Sequence, residues 1–156
     1  MKIRKAKIQD TQQIYSLTQD TILTAYKNAY TQYEIDFFCD LHSEENIADD
    51  IAKGIVYVLT EGNEILATAT LDGNHVMRVF VEKSHMGQGF GSKIMDFVEG
   101  EIAKNYGESV LDTSLVAKEF YLRRGYVYIC SESLDIKDGK RLKYDILKKV
   151  LTEGKI

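Results

Sequence analysis

The stretch His85-Met86-Gly87-Gln88-Gly89-Phe90-Gly91-Ser92-Lys93 sets three glycines at alternate positions between two different periodicities. Before it runs Val76-Met77-Arg78-Val79-Phe80-Val81, an apolar segment that reads as a strand. After it, Phe90, Ile94, Phe97, Val98 and Ile102 recur at helical spacing. The order is strand, glycine loop, helix. Glycine lets the backbone turn tightly and approach a ligand with no Cβ in the way. The first N–H groups of a helix have no intrahelical acceptor and carry partial positive charge. Together these features suit a phosphate or pyrophosphate.

The commoner owners of such glycines do not fit. A dinucleotide fingerprint needs G-x-G-x-x-G/A, and counting from Gly87 or Gly89 puts Ser92 or Ile94 at the last position. A Walker loop, G-x-x-x-x-G-K-[ST], is not met between Gly87 and Ser92. Alone, the loop also reads as a plain turn before a helix.

A second patch follows about thirty residues on, from Ser114 through Ala117-Lys118-Glu119-Phe120-Tyr121-Leu122-Arg123-Arg124-Gly125 to Tyr126. A short strand at Val110-Leu111 leads into it. Ser114 suits an N-cap, Gly125 suits the C′ position, and the two arginines suit a helix C-terminus. Ala117, Phe120 and Tyr121 share one side of the predicted helix. Taken by itself, Tyr121 also reads as a core tyrosine with its hydroxyl tied to a polar group.

The two patches together resemble the GNAT superfamily of acyl-CoA N-acyltransferases. The first is similar to its pyrophosphate loop, (Q/R)-x-x-G-x-(G/A): Gly89 and Gly91 fit, and Met86 stands where Gln or Arg is usual. The second is similar to its A-x-x-F-Y-x-x-x-G-(F/Y) helix, matched by Ala117, Phe120, Tyr121, Gly125 and Tyr126. Weaker likeness extends over nearly the whole chain. The Met86 departure removes a polar side chain near the phosphates and leaves the backbone donors intact.

Composition bounds the remaining choices. A length of 156 residues suits one domain, 1–156, and a hydrophobic content of 44% suits a globular core. The longest apolar run, Ile55-Val56-Tyr57-Val58-Leu59, is too short to cross a bilayer. Met1-Lys2-Ile3-Arg4-Lys5 is basic with no apolar region after it, so no secretory leader is expected. Cys39 and Cys130 form no metal-ligand spacing with each other or with His42, His75 and His85. These features lead us to expect a cytoplasmic protein with reduced thiols, no metal and no membrane partner. The net charge of −4 argues against nucleic acid. Residues 31–50 carry Glu34, Asp36, Asp40, Glu44, Glu45, Asp49 and Asp50 and no Lys or Arg. They read either as a solvated helix face or as an acidic rim attracting a cationic amine.

Along the chain, Lys2–Ala6 reads as an edge strand. Asp10 reads as a helix cap, with Gln13 completing a D-x-x-Q box and Ile14, Leu17, Thr21 and Ala25 along the buried face. Helical segments follow through Tyr33–Phe38 and Ser43–Lys53, the latter stopped by Gly54. Strands Ile55–Glu61, Glu64–Leu71 and His75–Val81 form a meander turned at Gly62-Asn63 and Asp72-Gly73-Asn74. The helix after the glycine loop runs to about Tyr106 across Gly100. A final hairpin, Tyr126–Leu134 with Arg141–Leu147, turns at Asp138-Gly139. The predicted fold is α/β (α+β): a mixed, mostly antiparallel central sheet of about seven strands with helices on both faces, GNAT-like.

The resemblance implies definite roles. The backbone of Gly87, Gln88, Gly89, Phe90, Gly91 and Ser92 would hold the pyrophosphate of acetyl-CoA. The backbone edge of Val79, Phe80 and Val81 would pair with the pantetheine arm like one more strand, exposed because its strand parts from the one at Val110. Ser114 would lie near the pantetheine, and Tyr121 would protonate the departing thiolate. His75 is the candidate base for the amine, although it also reads as a surface histidine after a turn. Asp72 and Glu82 are weaker candidates, and water with backbone carbonyls is a further route. His42 and His85 are read as structural or surface residues. Tyr26, Tyr30 and Tyr33 read equally as acceptor contacts or as helix packing.

The leading expectation is an N-acetyltransferase acting on a primary amine, either a small molecule or a peptide amine, by direct attack in a ternary complex. A non-catalytic acyl-CoA sensor is the alternative from another class. A protein using the loop for ATP or NAD is a third. Association of two copies through the last strands is compatible with the pattern.

Overall fold

The structure is a computed structural model and describes residues 1–151. Seven strands form one sheet in the order β1-β2-β3-β4-β5-β7-β6. They are β1 (Lys2–Lys5), β2 (Val56–Glu61), β3 (Glu64–Asp72), β4 (His75–Val81), β5 (Glu108–Thr113), β6 (Val127–Asp135) and β7 (Arg141–Val150). The helices are α1 (Thr11–Ala25), α2 (Gln32–Leu41), α3 (Glu44–Ala52), α4 (Phe90–Ala103) and α5 (Lys118–Arg123). All neighbouring strands run antiparallel except β4 and β5. A parallel pair needs a long crossover, and α4 supplies it.

Period-two alternation sorts the core into two layers. Val56 and Val58 join Ile14, Leu17, Ile35, Phe38, Ile47 and Ile51 from α1–α3. Tyr57 and Leu59, pointing the other way, join Ile94, Met95, Val98 and Ile102 of α4. The helices therefore cover both faces. Ser43 caps α3 by accepting from the Asn46 N–H, and Thr31 and Glu34 form a reciprocal box at the start of α2.

The expected cap on α1 is not formed. The Asp10 carboxylate meets the Arg4 guanidinium at 2.7 Å and the Lys7 N–H at 2.7 Å. That contact with Arg4 holds its pKa below the usual carboxylate range. Gln13 reaches the β2–β3 hairpin instead, accepting from the Ile65 N–H at 2.6 Å. Both side chains satisfy partners on other elements in preference to their own helix end. α4 also stops at Ala103, short of Tyr106.

β4 carries an extra residue. Thr68 faces Phe80 and Thr70 faces Met77, so Arg78 and Val79 together oppose Ala69 in a β-bulge. Arg78 takes a φ of 48°, which is uncommon for a residue with a Cβ. Its side chain is only 7% exposed. It donates to Asp50 Oδ2 at 2.8 Å, to Thr70 Oγ1 at 3.3 Å and, through Nε, to His42 Nδ1 at 3.1 Å. One guanidinium thus ties α3 and the α2–α3 connection to the bulge. Burial, then the Arg78 charge, push the His42 pKa down to about 3.

On the opposite face Glu99 of α4 is buried among cations. Its carboxylate accepts from Lys149 Nζ at 2.9 Å, from Arg124 Nη2 at 3.0 Å and from the Tyr126 hydroxyl at 3.0 Å. Arg124 also donates to the carbonyl of Ser92 in the first turn of α4, at 3.4 Å.

Two stability tests follow from these clusters. Glu99→Gln leaves Lys149 without its carboxylate and Arg124 with that of Asp96 alone, and lowers unfolding free energy by roughly 3 kcal/mol in chemical denaturation at neutral pH. For His42, the unfolded ring takes up a proton near pH ~6.5, whereas the folded ring does so only near about 3. The unfolded state therefore binds more protons across that window. The wild type loses stability as pH falls through it, by at most ~1.4 kcal/mol per unit from this group. His42→Gln flattens that slope, read as unfolding free energy at several pH values between these limits.

Candidate functional site

The glycine loop is built by backbone constraints. Lys83–His85 form a single 3-10 turn. The Glu82 carboxylate caps it, accepting from the Ser84 N–H at 3.0 Å and bonding Ser84 Oγ and, at 2.6 Å, His85 Nδ1. These contacts, Ser84 first, lower the Glu82 pKa. The chain then passes through Gly87 (φ 78°) and Gly89 (φ 85°), both left-handed, and enters α4 at Phe90. An L side chain at either position is strained. Lys93 closes the first helical bond onto the Gly89 carbonyl. Among the described residues, the N–H groups from Gly87 to Ser92 have no acceptor. Gly91 lets the Phe120 ring and Val81 pack to within 3.4 and 3.5 Å of where a Cβ would sit. The loop therefore lies against both the end of β4 and α5.

The second part of the site is a gap in the sheet. β4 and β5 pair only at His75–Val110 and Val76–Leu111. Beyond them the strands part around a cavity of about 330 Å³. Val79 and Phe80 line one wall, Asp112 and Ser114 the other. Tyr121 reaches it from α5, and Tyr26, Phe38 and His42 from the α1–α3 side. A volume of this size is at the small end for small-molecule sites.

Tyr121 is 6% exposed and packs edge-on against Phe120 and Tyr126. Burial, and then the neighbouring Tyr126 and Tyr26, raise its pKa well above the usual phenol value. It is a phenol throughout the physiological range. Ser114 Oγ accepts from the Ala117 N–H at 3.2 Å and from the Tyr26 hydroxyl at 3.4 Å. It thus caps the turn leading to α5, whose helical residues begin at Lys118. The Leu115 N–H donates to the Tyr30 hydroxyl at 2.7 Å, and burial pushes that phenol up to about 12. Tyr26 therefore lines the cavity and Tyr30 braces the loop behind it. Tyr33 is exposed beneath Lys140.

His75, 41% exposed, opens onto the same cavity, with its Nε2 3.6 Å from Asp112. The expected site residues thus fall into two groups. His75, Val79, Phe80, Ser114 and Tyr121 share the cavity. Val81 and the segment Gly87–Ser92 meet at the mouth of α4. Asp72 pairs with His75 at the start of β4, and Glu82 is engaged in its cap.

The acidic segment does not form a rim to this cavity. Asp50 is spent on Arg78, Asp36 accepts from Gln32, and Glu34 serves its own helix cap. Asp112 is the one carboxylate among the described lining residues. His42, expected to be structural or at the surface, is held by Arg78 and also lines the cavity. Arg78 had one trace in the sequence, a charge inside an apolar strand, whereas His42 and Asp112 had none. Glu64, Glu82 and His85 bring one ligand atom each within 4.8 Å of one another, the described group best placed to meet a cation. Cys39 and Cys130 are free thiols. Among the described residues, no helix is long and apolar enough to cross a membrane.

Known proteins give this geometry a context. The family model of the acetyltransferase (GNAT) domain matches residues 26–142. No curated protein matches the chain. A GCN5-related N-acetyltransferase from Rhodopseudomonas palustris superposes with a TM-score of 0.87 at 20% identity, over 96% of this chain and 95% of that one. PaiA N-acetyltransferase from Thermoplasma acidophilum, solved with coenzyme A, gives 0.72 at 15% identity over 96% and 98%. The yncA protein of Salmonella typhimurium, solved with its cofactor acetyl-CoA, gives 0.65 at 17% identity over 98% and 95%. At these identities the likeness is one of fold. The family match extends over more than half of the chain, from the aromatic wall of the cavity through the glycine loop and Tyr121 into β7, and the chain belongs to the GNAT family of acetyltransferases.

Proposed function

We propose that this protein transfers the acetyl group of acetyl-CoA to a primary amine by direct attack, with both substrates bound together. One observation carries the reading. A turn of unpaired N–H groups at the mouth of α4 lies beside the end of β4, whose neighbouring stretch is unpaired toward β5 and shares a cavity with Tyr121. The solved complexes of PaiA with coenzyme A and of yncA with acetyl-CoA support the choice of donor.

In this reading the N–H groups of Gly87–Ser92 bind the pyrophosphate, where helix-end donors favour negative charge. The edge of Val79–Val81, whose Val81 carbonyl also accepts from Thr21 Oγ1 at 3.3 Å, pairs with the pantetheine amides. A backbone N–H there faces the thioester oxygen and stabilises charge developing on it. The amine nitrogen attacks the thioester carbon. A C–N bond forms, the C–S bond breaks, and the sulfur leaves with its electron pair. The amine proton passes to His75, directly or through water, and Tyr121 donates toward the sulfur. The raised pKa keeps Tyr121 protonated but makes it a weaker acid than the thiol it serves, near pKa ~8.5. Its help belongs at the low end of general-acid catalysis, about 10²-fold.

Four outcomes test this. Release of free coenzyme A thiol in an amine panel is expected, and binding without turnover of any amine would leave a sensor. Tyr121→Phe lowers kcat by roughly 10²-fold with coenzyme A affinity, measured by calorimetry, nearly unchanged. Gly89→Ala places a Cβ in a left-handed conformation and weakens coenzyme A binding by about tenfold. A flat His75→Ala rate profile between pH ~6 and ~8 would hand the proton to water.

A further inference from the structure

The donor site leaves the acceptor open, and the cavity wall narrows its chemistry. Building on the proposed transfer to an amine, we infer that the acceptor is a primary amine on an apolar, aromatic-sized body that also bears a hydrogen-bond-accepting oxygen, and that His42 Nε2–H reads that oxygen. Tyr26, Phe38, Phe80 and Leu142 make the wall on the α1–α3 side predominantly apolar. Such a wall favours a body that buries carbon surface over a hydrophilic polyamine. Asp112, beside His75, is the lining carboxylate suited to the ammonium end.

His42 supplies the second polar contact, and its tautomer is set by its partner. The Nε of Arg78 carries a hydrogen at every accessible pH and can only donate. It points at His42 Nδ1 from 3.1 Å, so Nδ1 accepts and the ring proton sits on Nε2. Asp50 and Thr70 hold the guanidinium in place, so the ring cannot turn without breaking that set. The ring also packs edge-on to Phe80, with centroids 5.3 Å apart. Among the described residues Nε2 has no partner, and the ring lines the cavity. An Nε2–H open to the cavity loses its water when a ligand fills the site, so an oxygen delivered by the acceptor is selected over a matching amine that lacks one. Burial keeps the ring neutral down to about pH 3, so it offers a hydrogen bond and no charge.

The test compares phenethylamine with the three ring isomers of methoxyphenethylamine, with free lysine and with a short peptide. Free thiol release is followed in the wild type, His42→Phe and His42→Gln. The best methoxy isomer is expected to exceed phenethylamine in kcat/KM by about tenfold. His42→Phe should bring the ratio of kcat/KM for the methoxy amine to that for phenethylamine down to about one, chiefly through KM for the methoxy amine. His42→Gln, which keeps an N–H donor, should retain part of the advantage. The inference is overturned if no isomer outperforms phenethylamine, or if the advantage survives in His42→Phe. It also fails if lysine or the peptide alone is acetylated, an outcome that leaves the transferase reading standing. Coenzyme A binding with no amine acetylated would instead bring down the transferase reading itself.

Discussion

The parting of β4 from β5 is the constraint on which the site depends. Elsewhere in the sheet, neighbouring strands pair along most of their length; here the ladder covers two residue pairs and stops. Backbone N–H and C=O groups that leave a ladder need another partner. A strand whose edge opens in the middle of a sheet is therefore stable only facing water or a guest. The bulge at Arg78 increases the local twist on the same strand. Cavity and open backbone edge thus have one cause, and they necessarily occur side by side.

Two buried polar clusters hold the opening from opposite faces. On one, Glu99 gathers Arg124, Lys149 and Tyr126, and Arg124 continues to the Ser92 carbonyl in the first turn of α4. On the other, Asp50, Arg78 and His42 lock the bulge to α3 and the α2–α3 connection. Buried ion pairs add little net stability over apolar side chains of the same volume. Their contribution here is geometric. Each fixes an element that borders the gap, one at the glycine loop and the other at the aromatic wall.

Much of the frame was legible from local pattern. The glycine loop and the bounds of β4 agree with the sequence reading because turn chemistry and period-two alternation act over a few residues. The same holds for the helix through Tyr121, although its regular part begins at Lys118 and Ser114 caps the turn before it. The failures share a different cause. Asp10 and Gln13 had the right spacing for a cap but found partners on β1 and on the β2–β3 hairpin. The acids of residues 31–50 read either as a solvated helix face or as a rim, and neither reading marked Asp50, which turns inward to a guanidinium from another element.

From the chain of residues alone came the element order, the glycine turn ahead of α4 and the helix that carries Tyr121, since each is encoded within one short segment. Tertiary structure alone brought His42, Arg78 and Asp112 to the cavity. They come from three separate elements, and apart from the charge of Arg78 inside an apolar strand, neither hydropathy nor spacing marks residues whose partners are brought close only by folding. Their chemistry, including a histidine held neutral by burial and by an arginine on another strand, is a property of the assembled packing.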